Sequence, residues 1–206
     1  MSMKLYLSPG ACSLAVHIAL REVGTSFEIV KVDLATHQAG SGSDYYQVSP
    51  NGYVPLLEIA DGSRHTETAA LLQYIGDVFP AQRLIPPSSD AEARLKVVQW
   101  LAFIATELHK TFSWLWSKET AESTADACRK KLADRLQMLD RHLANHRYLA
   151  GPDFTVADAY GFTIVNWANF LNISLQPFPH VIDYQARVAK RPAVRDAMLA
   201  EGLLKS

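Results

Sequence analysis

The sequence predicts two domains, a mixed α/β domain followed by an all-α one. Three observations carry this. Residues 4–32 run through a short apolar stretch, a helical pattern and an alternating stretch, the signature of a βαβ unit. A segment rich in proline and serine, Pro86-Pro87-Ser88-Ser89-Asp90, then interrupts the patterning. Beyond it every periodic segment has helical spacing. The boundaries that follow are 1–80 for the mixed domain, 81–90 for a linker and 91–206 for the helical domain.

Each element has its own signal. Lys4 to Leu7 reads as a strand, and Cys12 to Val23 as a helix with Leu14, Ala15, Ile18, Ala19 and Val23 on one apolar stripe and Gly24 as its stop. Phe27 to Val32 alternates as a strand, and a strand on either side of one helix implies parallel pairing. Ala39 to Ser43 reads as a flexible loop, Asp44 to Val48 as a helical turn and Ser49-Pro50-Asn51-Gly52 as a tight turn. Tyr53 to Ile59 reads as a strand with Pro55 near its start. Asp61-Gly62 signals a hairpin whose return strand is Ser63 to His65. A helix opens at Thr66-Glu67-Thr68, with Thr66 as its cap, and Pro80 ends it. In the helical domain three stripes stand out. They are Leu95, Val98, Leu101, Ala105 and Leu108; then Leu132, Leu136, Leu139 and Leu143; then Ala157, Tyr160, Ile164, Trp167 and Leu171. Val181 to Lys190 and a helix opened by Pro192 complete the chain. Thr155 and Asp158 have the spacing of a capping box.

Composition narrows the function classes. Of 206 residues, 49% are hydrophobic and 20% charged, which supports a packed core. The formal net charge of -1 gives no electrostatic case for nucleic acid or an anionic membrane. Arg129-Lys130-Lys131 lies in a helical pattern and reads as a solvated face. No apolar run reaches the ~18–20 residues of a membrane span, and no signal peptide is expected at the N-terminus. Cys12 and Cys128 are too few for a disulfide framework and read as reduced thiols in a cytoplasmic protein.

The chemistry centres on Ser8-Pro9-Gly10-Ala11-Cys12-Ser13. Pro9 and Gly10 turn the chain between strand and helix, which places Cys12 at the first helical turn. Unpaired amides and the helix dipole there favour a thiolate. No second cysteine follows within three residues, so a dithiol cycle is not available.

With these residues the chain resembles the cytosolic glutathione transferases, and among them the bacterial beta class. Five motifs carry the resemblance along nearly the whole chain, in order and at matching spacing. They are Pro9-Gly10-Ala11-Cys12-Ser13, Asn51-Gly52-Tyr53-Val54-Pro55, Thr66-Glu67, Thr106-Glu107-Leu108-His109-Lys110, and Phe154-Thr155-Val156-Ala157-Asp158-Ala159. The resemblance implies a thioredoxin-like N-terminal domain, an all-α C-terminal helical domain and a homodimer.

It also implies a set of roles. Cys12 faces the sulfur of bound glutathione, and Ser13 either hydrogen-bonds that sulfur or caps the helix. Val54 precedes a cis Pro55 and offers its backbone to the cysteinyl part of the tripeptide. Glu67 pairs with its α-ammonium, and the helix start at Thr68 takes its γ-glutamyl carboxylate. His37 stands where the family often has lysine for the glycine carboxylate. Thr106, Glu107, Leu108 and His109 approach glutathione from the helical domain, with His109 catalytic beside Cys12 and Ser13. Ala102 stands where the family often has asparagine. Trp114, Trp116, Phe112, Phe103 and Tyr53 are candidates for an electrophile pocket.

The activity implied is conjugation of glutathione to small apolar electrophiles, with glutathione as co-substrate and neither metal nor organic cofactor. Two alternatives stand beside it. One is thiol–disulfide exchange or peroxide reduction through Cys12. The other is a non-catalytic dimer that carries apolar ligands.

Overall fold

A computed structural model describes residues 3–40 and 42–205. It divides into two compact units, one of Met1–Gln82 with Arg191–Ser206, the other of Arg83–Lys190.

The first unit holds a six-stranded sheet in the order β4-β3-β2-β1-β5-β6. β1 (Met3–Leu7) pairs parallel with β2 (Phe27–Asp33), as expected for strands flanking one helix, and antiparallel with β5 (Leu56–Glu58). β6 (Arg64–His65) returns antiparallel to β5. The segment read as a flexible loop is instead the outer edge of the sheet. β3 (Gln38–Ala39) and β4 (Ser43–Asp44) form an antiparallel extension of β2. Two-residue strands carry too little alternation to be read from sequence. Asp44 then caps the single helical turn at Tyr45–Gln47, accepting from the Tyr46 amide at 3.0 Å.

Side chains alternate across the sheet. Tyr6, Val32, Ala39, Tyr45, Val54 and Leu56 form a core on one face. Leu5, Leu7 and Leu57 turn to the other, which α1 (Ser13–Glu22) covers, with His17 edge-on to Phe27 at 5.6 Å. The expected single stripe on α1 is corrected here: every residue from Ser13 to Leu20 is buried. The reason is that the sheet is not its only neighbour. α2 (Thr68–Val78) and α9 (Pro192–Glu201) also pack on it. The last helix, expected in the helical domain, thus belongs to the first unit.

Three polar ties hold α9 there. Glu201 is 4% exposed and accepts from the Gly10 amide at 2.9 Å, and its other oxygen meets His17 Nδ1 at 2.8 Å. Arg191, just before α9, forms a two-pronged pair with Glu22 at 2.6 and 2.8 Å.

The second unit is helical. Leu84 and Ile85, expected in the linker, are buried, and the Leu84 carbonyl accepts from the Val156 amide at 2.8 Å. α3 (Ala91–Phe103), capped by Asp90, runs without interruption into a π-helical segment, Ile104–His109, and on into α4 (Lys110–Trp114). The buried stripe is Val97, Leu101, Ile104 and Leu108. Leu95, assigned to the stripe from sequence, is 63% exposed. The expected stripe opened on two three-residue steps, Leu95, Val98 and Leu101, whereas the buried face steps by four from Val97 to Leu101, closer to the helical period. α5 (Glu122–Leu143) buries Leu132, Leu136, Leu139 and Leu143 as its spacing predicts.

α6 (Val156–Val165) is buried along its whole length and opens with the expected capping box of Thr155 and Asp158. The long third stripe breaks at Asn166, and α7 (Trp167–Phe170) is a separate turn. α8 (Pro179–Ala189) starts at Pro179, and its first amides, of His180 and Val181, donate to Asp140 of α5 at 2.7 and 3.1 Å.

Candidate functional site

In the first unit the turn after β1 and the strand approach to β5 meet. The Cys12 thiol donates to the Val54 carbonyl at 3.2 Å, and the Val54–Pro55 peptide bond is cis. Cys12 is the N-cap of α1, with helical backbone angles and no side-chain cap bond. As it stands the cysteine is a thiol donor to a carbonyl, a contact that uses the sulfur's hydrogen. The thiolate expected from the helix start is therefore not the form this contact holds.

The structure corrects the capping role considered for Ser13. Its side chain is fully buried, it makes no capping bond, and its hydroxyl faces Ser8. It accepts from the Ser8 amide at 3.2 Å and lies 3.3 Å from the Ser8 carbonyl. Ser13 closes the turn that holds Pro9 and Gly10. Gly10, at φ 74, presents its amide to Glu201.

Residues 37, 46 and 52 form one packed group. The His37 ring lies 4.5 Å from that of Tyr46, and a Cβ on Gly52 would stand 2.8 Å from His37 Nδ1 and from a Tyr46 ring carbon. Gly52 also has φ 67, so the Asn51-Gly52 signal is demanded by contact as well as by backbone. His37 itself has φ 51, and its buried Nδ1 has no hydrogen-bond partner among the described residues. Behind the group, Tyr45 donates to the Tyr53 carbonyl at 2.9 Å, and burial pushes its hydroxyl up to about 12.

Glu67 is the N-cap of α2 and takes φ 66, a left-handed value that strains any residue but glycine. Thr66, expected as the cap, lies one residue outside it. Thr68 opens α2 and is buried. Strain of about 1–3 kcal/mol at such a residue persists where the surroundings impose it, and it concentrates at ligand sites.

In the second unit the expected residues share the π segment. Its extra residue per turn sets His109 and Glu107 on directions that a plain α-helix would not give them. The Tyr160 hydroxyl lies 2.6 Å from His109 Nδ1, and Trp167 meets the imidazole edge-on at 5.0 Å. Burial, with the Lys110 charge adding to it, pushes His109 down to about 4, so it is neutral at pH 7.

Glu107 accepts from Arg135 at 2.7 Å and pairs with Lys131 at 3.3 Å. The Arg135 hydrogen bond, with Lys131 behind it, holds its carboxyl below the usual carboxylate range. Lys131 is thus partly engaged, while Arg129 pairs with Glu122 and Asp126 on the expected solvated face. Leu108 is core, and the Thr106 hydroxyl donates to the Ala102 carbonyl at 2.9 Å. Among the aromatic candidates, Phe112 is fully buried. Trp116 is half-exposed and stands edge-on to Trp167 at 5.8 Å.

Two contacts have no local signal in the sequence: Tyr160, which spacing places in the core stripe, meets His109 across 51 residues, and Glu201 meets Gly10 across 191. Among the described residues no cluster of three or more His, Cys, Asp or Glu could hold a metal ion, and no helix is long and apolar enough to cross a membrane. Cys12 and Cys128 are both free.

A thioredoxin-like sheet unit with a cysteine at the start of its first helix and a cis proline facing it, followed by an all-helical unit, defines the glutathione transferase class of fold. Residues 10–78 match the glutathione S-transferase N-terminal domain and residues 98–192 the C-terminal domain. The chain is 42% identical to glutathione S-transferase GstA of Escherichia coli O157:H7 over 98% of its own length and all of the relative's. A sphingomonad glutathione S-transferase solved with glutathione superposes with a TM-score of 0.93 at 40% identity, covering 98% of this chain and all of that one. The beta-class enzyme of Sphingomonas chungbukensis gives 0.93 at 39% identity with the same coverage. The chain belongs to the glutathione S-transferase family, in its bacterial beta class.

Proposed function

We propose that this chain binds glutathione in its first unit and transfers the tripeptide's sulfur to a small apolar electrophile. One observation carries the reading: the Cys12 sulfur stands 3.2 Å from the Val54 carbonyl, beside the cis Pro55. A sulfur centre and a backbone edge that can pair with a peptide therefore meet at one point. Val54 takes the cysteinyl backbone, and Glu67, at the strained start of α2, takes the α-ammonium. The amides that open α2 at Thr68 suit the γ-glutamyl carboxylate. His37 is the donor for the glycine carboxylate, through the ring nitrogen other than the Nδ1 enclosed against Gly52. The resemblance also assigns Thr106 to His109 to glutathione. His109 acts there as a neutral hydrogen-bond donor.

In the reaction the glutathione thiol gives its proton to solvent. Its sulfur forms a bond to the electrophilic carbon, and with a halonitroarene the halide leaves with the electron pair. The protein supplies positioning and stabilisation of the thiolate. We carry the homodimer and a cytoplasmic site over from the resemblance. Two free cysteines fit a reducing compartment.

The test is calorimetric titration with glutathione together with turnover of a halonitroarene, in wild type and Cys12→Ala. Binding with turnover is expected. Binding without turnover would make the chain a ligand carrier. Disulfide exchange that outpaces conjugation and disappears in Cys12→Ala would make Cys12 a nucleophile in its own right. An empty site at millimolar glutathione would overturn the reading.

A further inference from the structure

One hydrogen bond joins the histidine of the second unit to another helix. His109 ends the π segment, and Tyr160 lies on α6, 51 residues further along. The hydroxyl and Nδ1 are 2.6 Å apart, short for such a pair, and Tyr160 is 2% exposed. Its ring stands at 86° to the imidazole, and Trp167 meets the imidazole at 78°. The imidazole is thus held against two aromatic rings, with Nδ1 committed to the phenol.

A neutral imidazole has one nitrogen that donates and one that accepts, and the partner of either nitrogen sets the role of the other. A phenolic O–H is a good donor, and an unprotonated imidazole nitrogen is a good acceptor, better than the phenol oxygen. The favoured polarity is therefore O–H to N. With Nδ1 accepting, the ring's hydrogen resides on Nε2.

We propose that Tyr160 is a positioning residue for His109: its hydroxyl donates to Nδ1 and so keeps the imidazole as an Nε2–H donor. This rests on the role given to His109 above. It makes His109 a group that hydrogen-bonds negative charge rather than a general base that removes the thiol proton. The hold resembles that on a metal-bound histidine, whose second nitrogen is fixed by an outer partner.

Nitrogen-15 NMR of the imidazole in the wild-type chain tests the assignment without any substitution. The expected result is Nε2 protonated and Nδ1 bare at pH 7. The reverse tautomer, or an even mixture, would overturn the proposal. Tyr160→Phe keeps the ring and removes the hydroxyl. In that variant the tautomers should mix, and kcat with a halonitroarene should fall about tenfold while KM for glutathione stays within twofold. Wild-type kcat in Tyr160→Phe, with an unchanged tautomer, sinks the tyrosine's role alone. His109→Ala separates the layers: if it keeps full kcat, the histidine reading fails and the tyrosine proposal falls with it.

Discussion

Glu67 holds a backbone conformation better suited to glycine. It caps α2 at φ 66, where glycine would sit without strain, yet a carboxylate stands there. Glu67→Gly should leave stability equal or raise it by about 1 kcal/mol, because it relieves the left-handed strain. In the proposed role the same change removes the partner of the substrate's ammonium, so KM for glutathione should rise about tenfold or more, as expected for loss of a charged hydrogen bond. Glu67→Ala keeps the strain and loses the carboxylate, so its KM should rise equally with no gain in stability. Urea unfolding and glutathione titration of both variants separate the two effects. Equal KM values in wild type and both variants would remove Glu67 from the site.

At the scale of elements, the π segment carries both Glu107 and His109. It continues the helix that starts at Ala91; within it Ile104 and Leu108 are buried and His109 reaches Tyr160. The burial that holds His109 near 4, against an ordinary 6.5, also ties this element to pH. Between those values the unfolded chain binds a proton that the folded chain does not. Stability from this group is therefore complete above about pH 6.5 and falls as pH drops toward 4. The span corresponds to about 3 kcal/mol. His142, also lowered by burial, acts in the same direction. The difference between wild type and His109→Asn isolates the first histidine. Urea midpoints from pH 7.5 to 4.5 should fall more steeply in wild type, and parallel curves would refute the buried neutral state.

For the whole molecule, the chain's end completes its beginning. α9 returns to the first unit, and Glu201 takes the Gly10 amide and His17 at once. The turn that carries Cys12 is thus held from both sides, by Ser13 within its own helix and by Glu201 from the last. Glu201→Ala takes a buried carboxylate away from His17 Nδ1 and from the Gly10 amide. The expected cost is about 3 kcal/mol or more, seen as a lower urea midpoint. Glutathione affinity should weaken alongside it, since the turn loses a fixed point. A variant as stable as wild type would show that the contact is dispensable.

The sequence by itself determined the order of the longer elements, the two-part organisation and the sheet's parallel β1–β2 pair. Those follow from local periodicity and from turn residues such as Gly24, Pro80 and Pro192. It also determined the capping box at Thr155 and Asp158, whose partners sit within one turn. Its motifs named Cys12, Val54, Glu67 and His109 as candidates. Tertiary structure decided what each of these touches. It gave Cys12 the Val54 carbonyl, turned Ser13 onto Ser8, assigned α9 to the first unit and put Tyr160 on His109. It also chose between two apolar faces that overlap at Leu101 and Leu108. The physical reason is range: periodicity reports the face of an element over a few residues, whereas a hydrogen bond across 51 or 191 residues leaves no periodic trace in the chain.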